Sequence, residues 1–331
     1  MKKLTIALVL TAITVSACGG ATDGGLVVYS GRTENLVGPL FEDFTEQTGI
    51  AVEVRYGQSA DLALLIQQEG DRSPADVFIS QSPGAIGLLA GENLLAKLSD
   101  ETGALVPVEY RNTSREWIGL SGRVRVVVYN SDLVDGSELP ASVFDLVEPR
   151  YRGRVALAPA NGSFQDFVTG MREVHGDELT LSWLTAMDDN ESPTYANNTA
   201  IVQAVARGEV EMGLVNHYYN LRALAEDPSL PSVNHFFEDV GSLVIITAIG
   251  ILDSSSDVEK AEELVRFLLS PRSQQFFSEE TFEYPLATGS QATAELTDLV
   301  DLQVMTYDFE DLSGGLTRTK ELIDASGLEA P

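Results

Sequence analysis

Two tyrosines stand side by side in Asn216-His217-Tyr218-Tyr219-Asn220, directly after the apolar run Met212-Gly213-Leu214-Val215. A run of that kind reads as a buried parallel strand, and ligands of open α/β sheets bind beyond the ends of such strands. A deprotonated phenol is a hard, anionic oxygen ligand, suited to a small and highly charged cation, with ferric ion the foremost candidate. A free phenol has a pKa of about 10, so a cation held there must displace its proton. The competing reading is structural, with one ring in the core and the other on the surface. His217 is expected to face solvent beside the pair, and His175 and His235 to be lone surface groups.

The elements that must position the pair follow an αβ rhythm. Residues 26–29 form a short strand, broken at Ser30-Gly31-Arg32-Thr33, where Thr33 is a fair helix N-cap. Val37, Leu40, Phe41 and Phe44 follow at helical spacing up to Gly49, and Pro39 fits such a helix only near its first turn. Ile50, Val52 and Val54 alternate as a strand, residues 62–68 read as a helix, 75–79 as a strand and 86–90 as a helix. The β-prone run Val124-Arg125-Val126-Val127-Val128-Tyr129 follows Ser121-Gly122 and opens a second series. That series has a strand over 154–157 and helices over 164–174, 179–187 and 200–206, the last stopped by Gly208. The apolar stretch 241–252 carries the chain back, and 259–269 is an amphipathic helix. The pattern predicts an α/β protein of two lobes crossed twice by β-prone segments, a hinge about which the lobes close on a ligand. Arg123 and Arg125 alternate onto one strand face, aimed into the hinge or at acidic neighbours. Arg32 reads on its own as a loop charge, and Asn161 and Asn198 as helix caps, a role that does not exclude anion binding.

The chain opens Met1-Lys2-Lys3, runs apolar over residues 4–15 and reaches Ser16-Ala17-Cys18-Gly19. This has the parts of an export signal, and its apolar run is too short to span a bilayer as a mature helix. Cys18 is the only cysteine, so no intrachain disulfide is possible. Val15-Ser16-Ala17-Cys18 resembles a bacterial lipobox, which implies cleavage before Cys18 and a lipid anchor on its thiol, with residues 18–25 as a tether. The formal charge of -29 speaks against nucleic acid and bare anionic lipid as partners. It attracts cations weakly, and adaptation to a salty medium accounts for it equally well.

Several segments, in order, resemble the ferric-ion-binding solute-binding proteins of ABC importers, the bacterial transferrins of the type II periplasmic-binding-protein family. They are Val28-Tyr29-Ser30-Gly31-Arg32, Ser73-Pro74-Ala75-Asp76-Val77-Phe78, Ser121 through Asn130, and Tyr151-Arg152-Gly153-Arg154. Ala158-Pro159-Ala160-Asn161-Gly162-Ser163-Phe164, Asn197-Asn198, Asn216-His217-Tyr218-Tyr219 and Glu283-Tyr284-Pro285-Leu286 complete the set. The resemblance implies a ligand cleft between two lobes joined by a two-strand hinge. The N-terminal lobe would take 26–123 and 250–300, the C-terminal lobe 124–249 and 301–331, behind a signal peptide over 1–17. It implies Tyr218 and Tyr219 as iron ligands. It places Asn161, Gly162, Ser163, Asn198 and Asn216 around a synergistic anion, carbonate or phosphate, with Arg32 facing that anion. The implied setting is a lipid-anchored monomer in the periplasm or on the outer cell surface, handing Fe3+ to an ABC permease.

The departures narrow the ligand set. Where some members supply a histidine, a glutamate or a third tyrosine, this chain has Thr33, Gln81 and Phe164, and only the two tyrosines carry over as protein ligands. A binding protein of the same fold for an aminophosphonate, polyamine or thiamine is the near rival, its tyrosines stacking on the ligand. An exported hydrolase or metalloenzyme has less support. No His/Cys cluster has zinc spacing, no Gly-rich nucleotide loop is present, and no Gly-x-Ser-x-Gly elbow occurs.

Overall fold

The computed structural model describes residues 24–296, Leu299, Leu302 and 315–328. The expected export signal and Cys18 lie outside the described residues. In the first half of the chain the order is β1 (Leu26–Ser30), α1 (Glu34–Thr48), β2 (Val52–Tyr56), α2 (Ser59–Glu69), β3 (Val77–Ser80), α3 (Pro83–Gly91) and the single turn α4 (Asp100–Gly103). The long strand β4 (Trp117–Asn130) leads on to β5 (Val155–Ala156), α5 (Gly162–His175), α6 (Asp177–Asp189), α7 (Asn198–Ala206), β6 (Met212–Asn216), α8 (His217–Glu226) and β7 (Ser232–His235). Then come β8 (Val244–Ile251), α9 (Val258–Leu268), α10 (Pro271–Glu279), β9 (Tyr284–Pro285) and α11 (Leu316–Ser326).

The strands join in the order β2-β1-β3-β8-β4-β6-β5, with β7 and β9 also paired to β4. β4 belongs to both halves. Its residues from Trp117 to Val124 pair antiparallel with β8, and those from Arg125 to Tyr129 with β6. The chain therefore leaves the first half at Val124–Arg125. It returns at Leu243–Val244, where Leu243 O accepts from Arg125 N at 3.0 Å. All of β8 pairs within the first half, against β3 and β4, so the chain returns inside the apolar stretch 241–252 and ahead of residue 250, where the implied N-terminal lobe was expected to resume.

Helices cover both faces of each half, which is why β3, β6 and β8 are buried throughout and read as unbroken apolar runs. One face of the first half packs Leu40, Phe41 and Phe44 of α1 with Leu264 and Leu268 of α9. The other packs Leu62 and Ile66 of α2 with Ile86 and Leu89 of α3. In the second half Phe164 and Phe167 of α5, Trp183 of α6 and Leu322 of α11 form one core. Ile201, Val202 and Val205 of α7 form the other. Among the described residues no helix is long and apolar enough to cross a membrane.

Three local expectations are corrected. Pro39 sits in the interior of α1, not in its first turn. The carbonyl it leaves unbonded is that of Asn35, which is exposed and open to water. β4 begins at Trp117, well before Val124, and runs through Ser121-Gly122 with a register shift between Gly119 and Ser121. A glycine does not end a strand that finds partners on both sides, and here β8 and β9 supply them. Thr33 takes the N-cap position of α1, but its hydroxyl bonds Asn35 and caps nothing.

Gly213 shows how tightly α7 lies on β6. A Cβ there would come 2.2 Å from Cγ2 of Ile201 and 3.3 Å from Cβ of Ala156. Ile201 is β-branched and cannot swing aside. Gly213→Val is expected to lower stability by about 1–3 kcal/mol in urea unfolding with an unchanged m-value, whereas Gly136→Ala, in open space, should leave it unmoved.

Candidate metal and anion site

β6 ends at Asn216 and α8 starts at the next residue, so Tyr218 and Tyr219 lie in the first turn of α8. Asn216 holds the N-cap position, with φ -86° and ψ 142°, yet its side chain makes no cap. Its Oδ1 instead accepts from Nη1 of Arg125 at 3.1 Å, and its Nδ2 is buried without a partner. The two phenol rings stack, 4.2 Å between centroids and 29° between planes. Tyr218 is buried and Tyr219 half-buried. Burial and the neighbouring Tyr219 phenol hold the Tyr218 hydroxyl well above its ordinary range, against the pull of Arg32 and Arg123. On the protein's own charges it stays a neutral phenol.

Three guanidiniums surround the pair. Arg32, in the loop between β1 and α1, is buried and forms an ion pair with buried Glu283. Its Cζ lies 5.9 Å from the centre of the Tyr218 ring. Ser121 Oγ also donates to Glu283. Arg123 donates to Thr247 Oγ1 at 2.9 Å and to the carbonyl of Gln81. Arg125 lies over the Phe167 ring at 5.7 Å, and burial pushes its pKa down to about 9. Among the described residues, Arg123 Nε and Arg125 Nε and Nη2 are buried with no hydrogen-bond partner. Unmatched N–H groups on buried cations are costly, and they mark a place for an anion.

A second cluster lies at the start of α5. Asn161 caps that helix, its Oδ1 accepting from Ser163 N at 3.1 Å and Ser163 Oγ at 2.8 Å. Asn198 Nδ2 reaches Ser163 Oγ at 3.2 Å, and its Oδ1 is unpartnered. Capping is thus real for Asn161, but α7 is capped by Asn197 and not by Asn198. A Cβ on Gly162 would sit 4.0 Å from Nε2 of Gln81 on the opposite wall. A cavity of about 320 Å³ opens between Ser59, Gln81 and Ser82 on one side and Gly162, Gln165 and Asp166 on the other.

The structure thus joins Asn161, Ser163 and Asn198 in one network, Asn216 with Arg125 in another, and Arg32 with Tyr218 in a third. Thr33 is exposed, Phe164 is in the core, and Gln81 offers its carbonyl to Arg123. Among the described residues no group of three or more His, Cys, Asp or Glu side chains is placed to hold a metal. The stacked phenols are two adjacent hard oxygen donors at this site.

Three residues were not legible as site members. Glu283 stands in a quoted segment, but nothing in its neighbourhood names Arg32, 251 positions away, as its partner. Asp166 is one acid among many. His217 is the clearest correction, because it is buried, not solvent-facing. Its Nδ1 accepts from Val124 N at 3.1 Å and its Nε2 faces Phe282 O at 2.8 Å. That pair of contacts requires the neutral ring with its proton on Nε2. Phe282 itself has a φ of 56°, rare for a bulky residue, and the turn it makes delivers Glu283 to Arg32. His175 is exposed, and His235 is half-buried against the carbonyl of Pro140.

Comparison with known proteins follows the geometry. The sequence profile of the bacterial extracellular solute-binding proteins matches residues 72–312. The Fe(3+)-binding periplasmic protein of Serratia marcescens is 32% identical over 321 residues, covering 96% of this chain and 94% of that protein. The crystal structure of iron-bound HitA from Pseudomonas aeruginosa superposes with a TM-score of 0.88 at 34% identity, covering 92% of this chain and 100% of that one. The Trichodesmium protein IdiA, in complex with iron and citrate ligands, superposes with a TM-score of 0.81 at 27% identity over the same shares.

His217 gives the site a pH signature. Burial lowers its pKa from 6.5 to about 4, so the stability it contributes is complete above 6.5 and is lost as pH falls towards 4. Asp166 acts in the opposite sense, since burial raises it from 3.8 to about 6 and the folded form gains as it protonates. In His217→Gln only the first effect is removed. Between pH 7 and pH 4 the wild type is expected to lose about 3 kcal/mol more than this variant in urea unfolding.

Proposed function

The chain belongs to the bacterial extracellular solute-binding protein family, and from that premise we propose that it binds ferric ion through Tyr218 and Tyr219 with a small synergistic anion and delivers it to an ABC permease. The stacked phenols of α8, set beside guanidinium N–H groups that lack partners, carry this reading. Its relatives are named as binding proteins, which fits a carrier and not an enzyme.

The chemistry follows from the charges. A trivalent cation at the phenol oxygens lowers their pKa and displaces two protons. Burial holds the Tyr218 proton tightly, so the cation must supply enough Coulombic stabilisation to remove it, and ferric ion has the charge and hardness to do so. The anion completes the coordination that two protein ligands leave open. We assign its donors to Arg123, Arg125, Asn216, and the start of α5 at Gly162 and Ser163, with Asn198 orienting Ser163. Arg32 stands nearer the phenols, neutralised by Glu283, and contributes its charge to the tyrosinates as well as to the anion side.

The two lobes would close about β4 and the Leu243–Val244 return, and the loaded, closed form is what a permease would distinguish from the empty one. Carbonate and phosphate both suit the donor set. We take Cys18 as the lipid attachment point, on the strength of Val15-Ser16-Ala17-Cys18, which would hold a monomeric carrier at the outer face of a membrane or in the periplasm.

Ferric ion added with carbonate or phosphate is expected to give a visible phenolate-to-iron charge-transfer band, absent when either is left out. Tyr218→Phe and Tyr219→Phe should each lower ferric affinity by at least about a hundredfold, because each removes one anionic ligand from a trivalent ion while keeping the ring. Two displaced protons make the wild-type affinity fall by up to about a hundredfold per pH unit in acid. Retention of wild-type affinity by both variants would refute the ligand assignment.

A further inference from the structure

We propose that Asp166 sets the charge of the anion that this cleft accepts, favouring a compact dianion and turning away a polycarboxylate. The proposal rests on the ferric reading above for the charge of the cargo, and it stands on geometry for the rest.

Asp166 lies on α5, half-buried, on the wall of the cavity between the lobes. Ser82 stands on the opposite wall of the same cavity. Ser82 occupies the N-cap position of α3 with an extended backbone, φ -151° and ψ 162°, where a serine ordinarily caps its own helix. Here it makes no such cap, and it lines the cavity that Asp166 lines from the other side. Arg123 of β4 bonds the carbonyl of Gln81 on the same cavity wall, and Arg125 of β4 lies over the ring of Phe167, the next residue of α5. Neither forms an ion pair with Asp166, so it lends them charge without consuming their unmatched N–H groups. The other charges on that cavity wall are Asp61 and Lys320. At neutral pH Asp166 is ionised, although burial raises its pKa to about 6.

The charge inventory then selects the anion. Arg32, Arg123 and Arg125 are three positive groups, and Glu283 and Asp166 are two negative ones, which leaves one positive charge. Ferric ion held by two phenolates adds one more. A dianion brings this total to zero, whereas a trianion such as citrate leaves a buried negative charge. Citrate would also bring further carboxylates to a cavity whose wall carries two carboxylates, Asp166 and Asp61, against one ammonium, Lys320. With Asp166 neutralised the site carries three positive charges, and a trianion becomes the matching partner. Unbalanced buried charge and like-charge contact are the strongest sources of discrimination between ligands of similar shape.

The test is ferric affinity in carbonate and in citrate as the sole anion, read from the charge-transfer band in competition with a chelator. Calorimetry of the same two anions with the iron-free protein runs in parallel. Asp166→Asn, which keeps the shape and removes the charge, is expected to raise the citrate-to-carbonate affinity ratio at least about tenfold by both readouts. Asp166→Glu, which keeps the charge, should stay within about threefold of wild type, and Asp61→Asn, at the exposed rim, within about twofold. An unmoved ratio in Asp166→Asn overturns the proposal, as does an equal rise in Asp61→Asn, which would reduce the effect to bulk charge. If no anion yields a charge-transfer band with the wild type, the ferric reading falls, and the calorimetric ratio alone decides the role of Asp166.

Discussion

Burying a guanidinium costs several kcal/mol unless its charge and its N–H groups are met, and this protein buries three where its two halves join. That constraint organises the site. Arg32 meets its cost through Glu283, brought from a distant part of the chain by the strained turn at Phe282. Arg123 meets part of it through Thr247 and the Gln81 carbonyl, and Arg125 part of it through Asn216 and the face of Phe167. What remains is a set of donors with no acceptor among the described residues. A fold that spends stability in this way gains a place where an anion binds with its donors already in position, at little reorganisation cost.

The phenols obey the complementary rule. Their neighbours keep Tyr218 protonated, because burial and the second phenol outweigh the nearby arginines. The pair therefore does not act as a standing negative site that would collect any cation. On the proposed reading it becomes anionic only for a cation strong enough to displace the protons, so the same burial that opposes ionisation also supplies selectivity for high charge. The net charge of -29 plays no part in that selection, since it attracts all cations alike.

Much of this was legible in the sequence, and the misses have physical causes. The αβ rhythm, the strand before the tyrosines and the glycines at 49 and 208 were readable because periodicity and positive-φ preferences are local, and both glycines do take left-handed φ, 77° and 70°. The start of β4 was not, because Ser121-Gly122 looks like a break until β8 and β9 pair with it. His217 was misjudged because its direction is set by two backbone groups, one on β4 and one at Phe282, that no spacing rule connects to it. Glu283 and Asp166 were invisible for the same reason. In a chain with 50 acidic residues, a functional carboxylate differs from a surface one only by what it faces. The place of the tyrosines was readable because an apolar strand runs straight into them, and that of the asparagines because they sit at helix starts.

The division of β4 between the lobes gives the anion a mechanical role. Arg123 is tied to Gln81 and Thr247 of the first half, and Arg125 to Asn216 and Phe167 of the second, although only Val124 separates them. An anion that takes N–H groups from both therefore bonds to both lobes at the hinge itself. The phenols belong to the second half, and Arg32 with Glu283 to the first, so the cation site is likewise shared across the same line. His217 crosses it too, from α8 to Phe282 through the strand at Val124. Whatever bends β4 must move all of these contacts together. Cation and anion then each stabilise the arrangement the other requires, and by linkage each raises the affinity of the other by the same factor. Cooperative uptake of two oppositely charged ligands follows from one strand carrying two arginines, one anchored in each lobe.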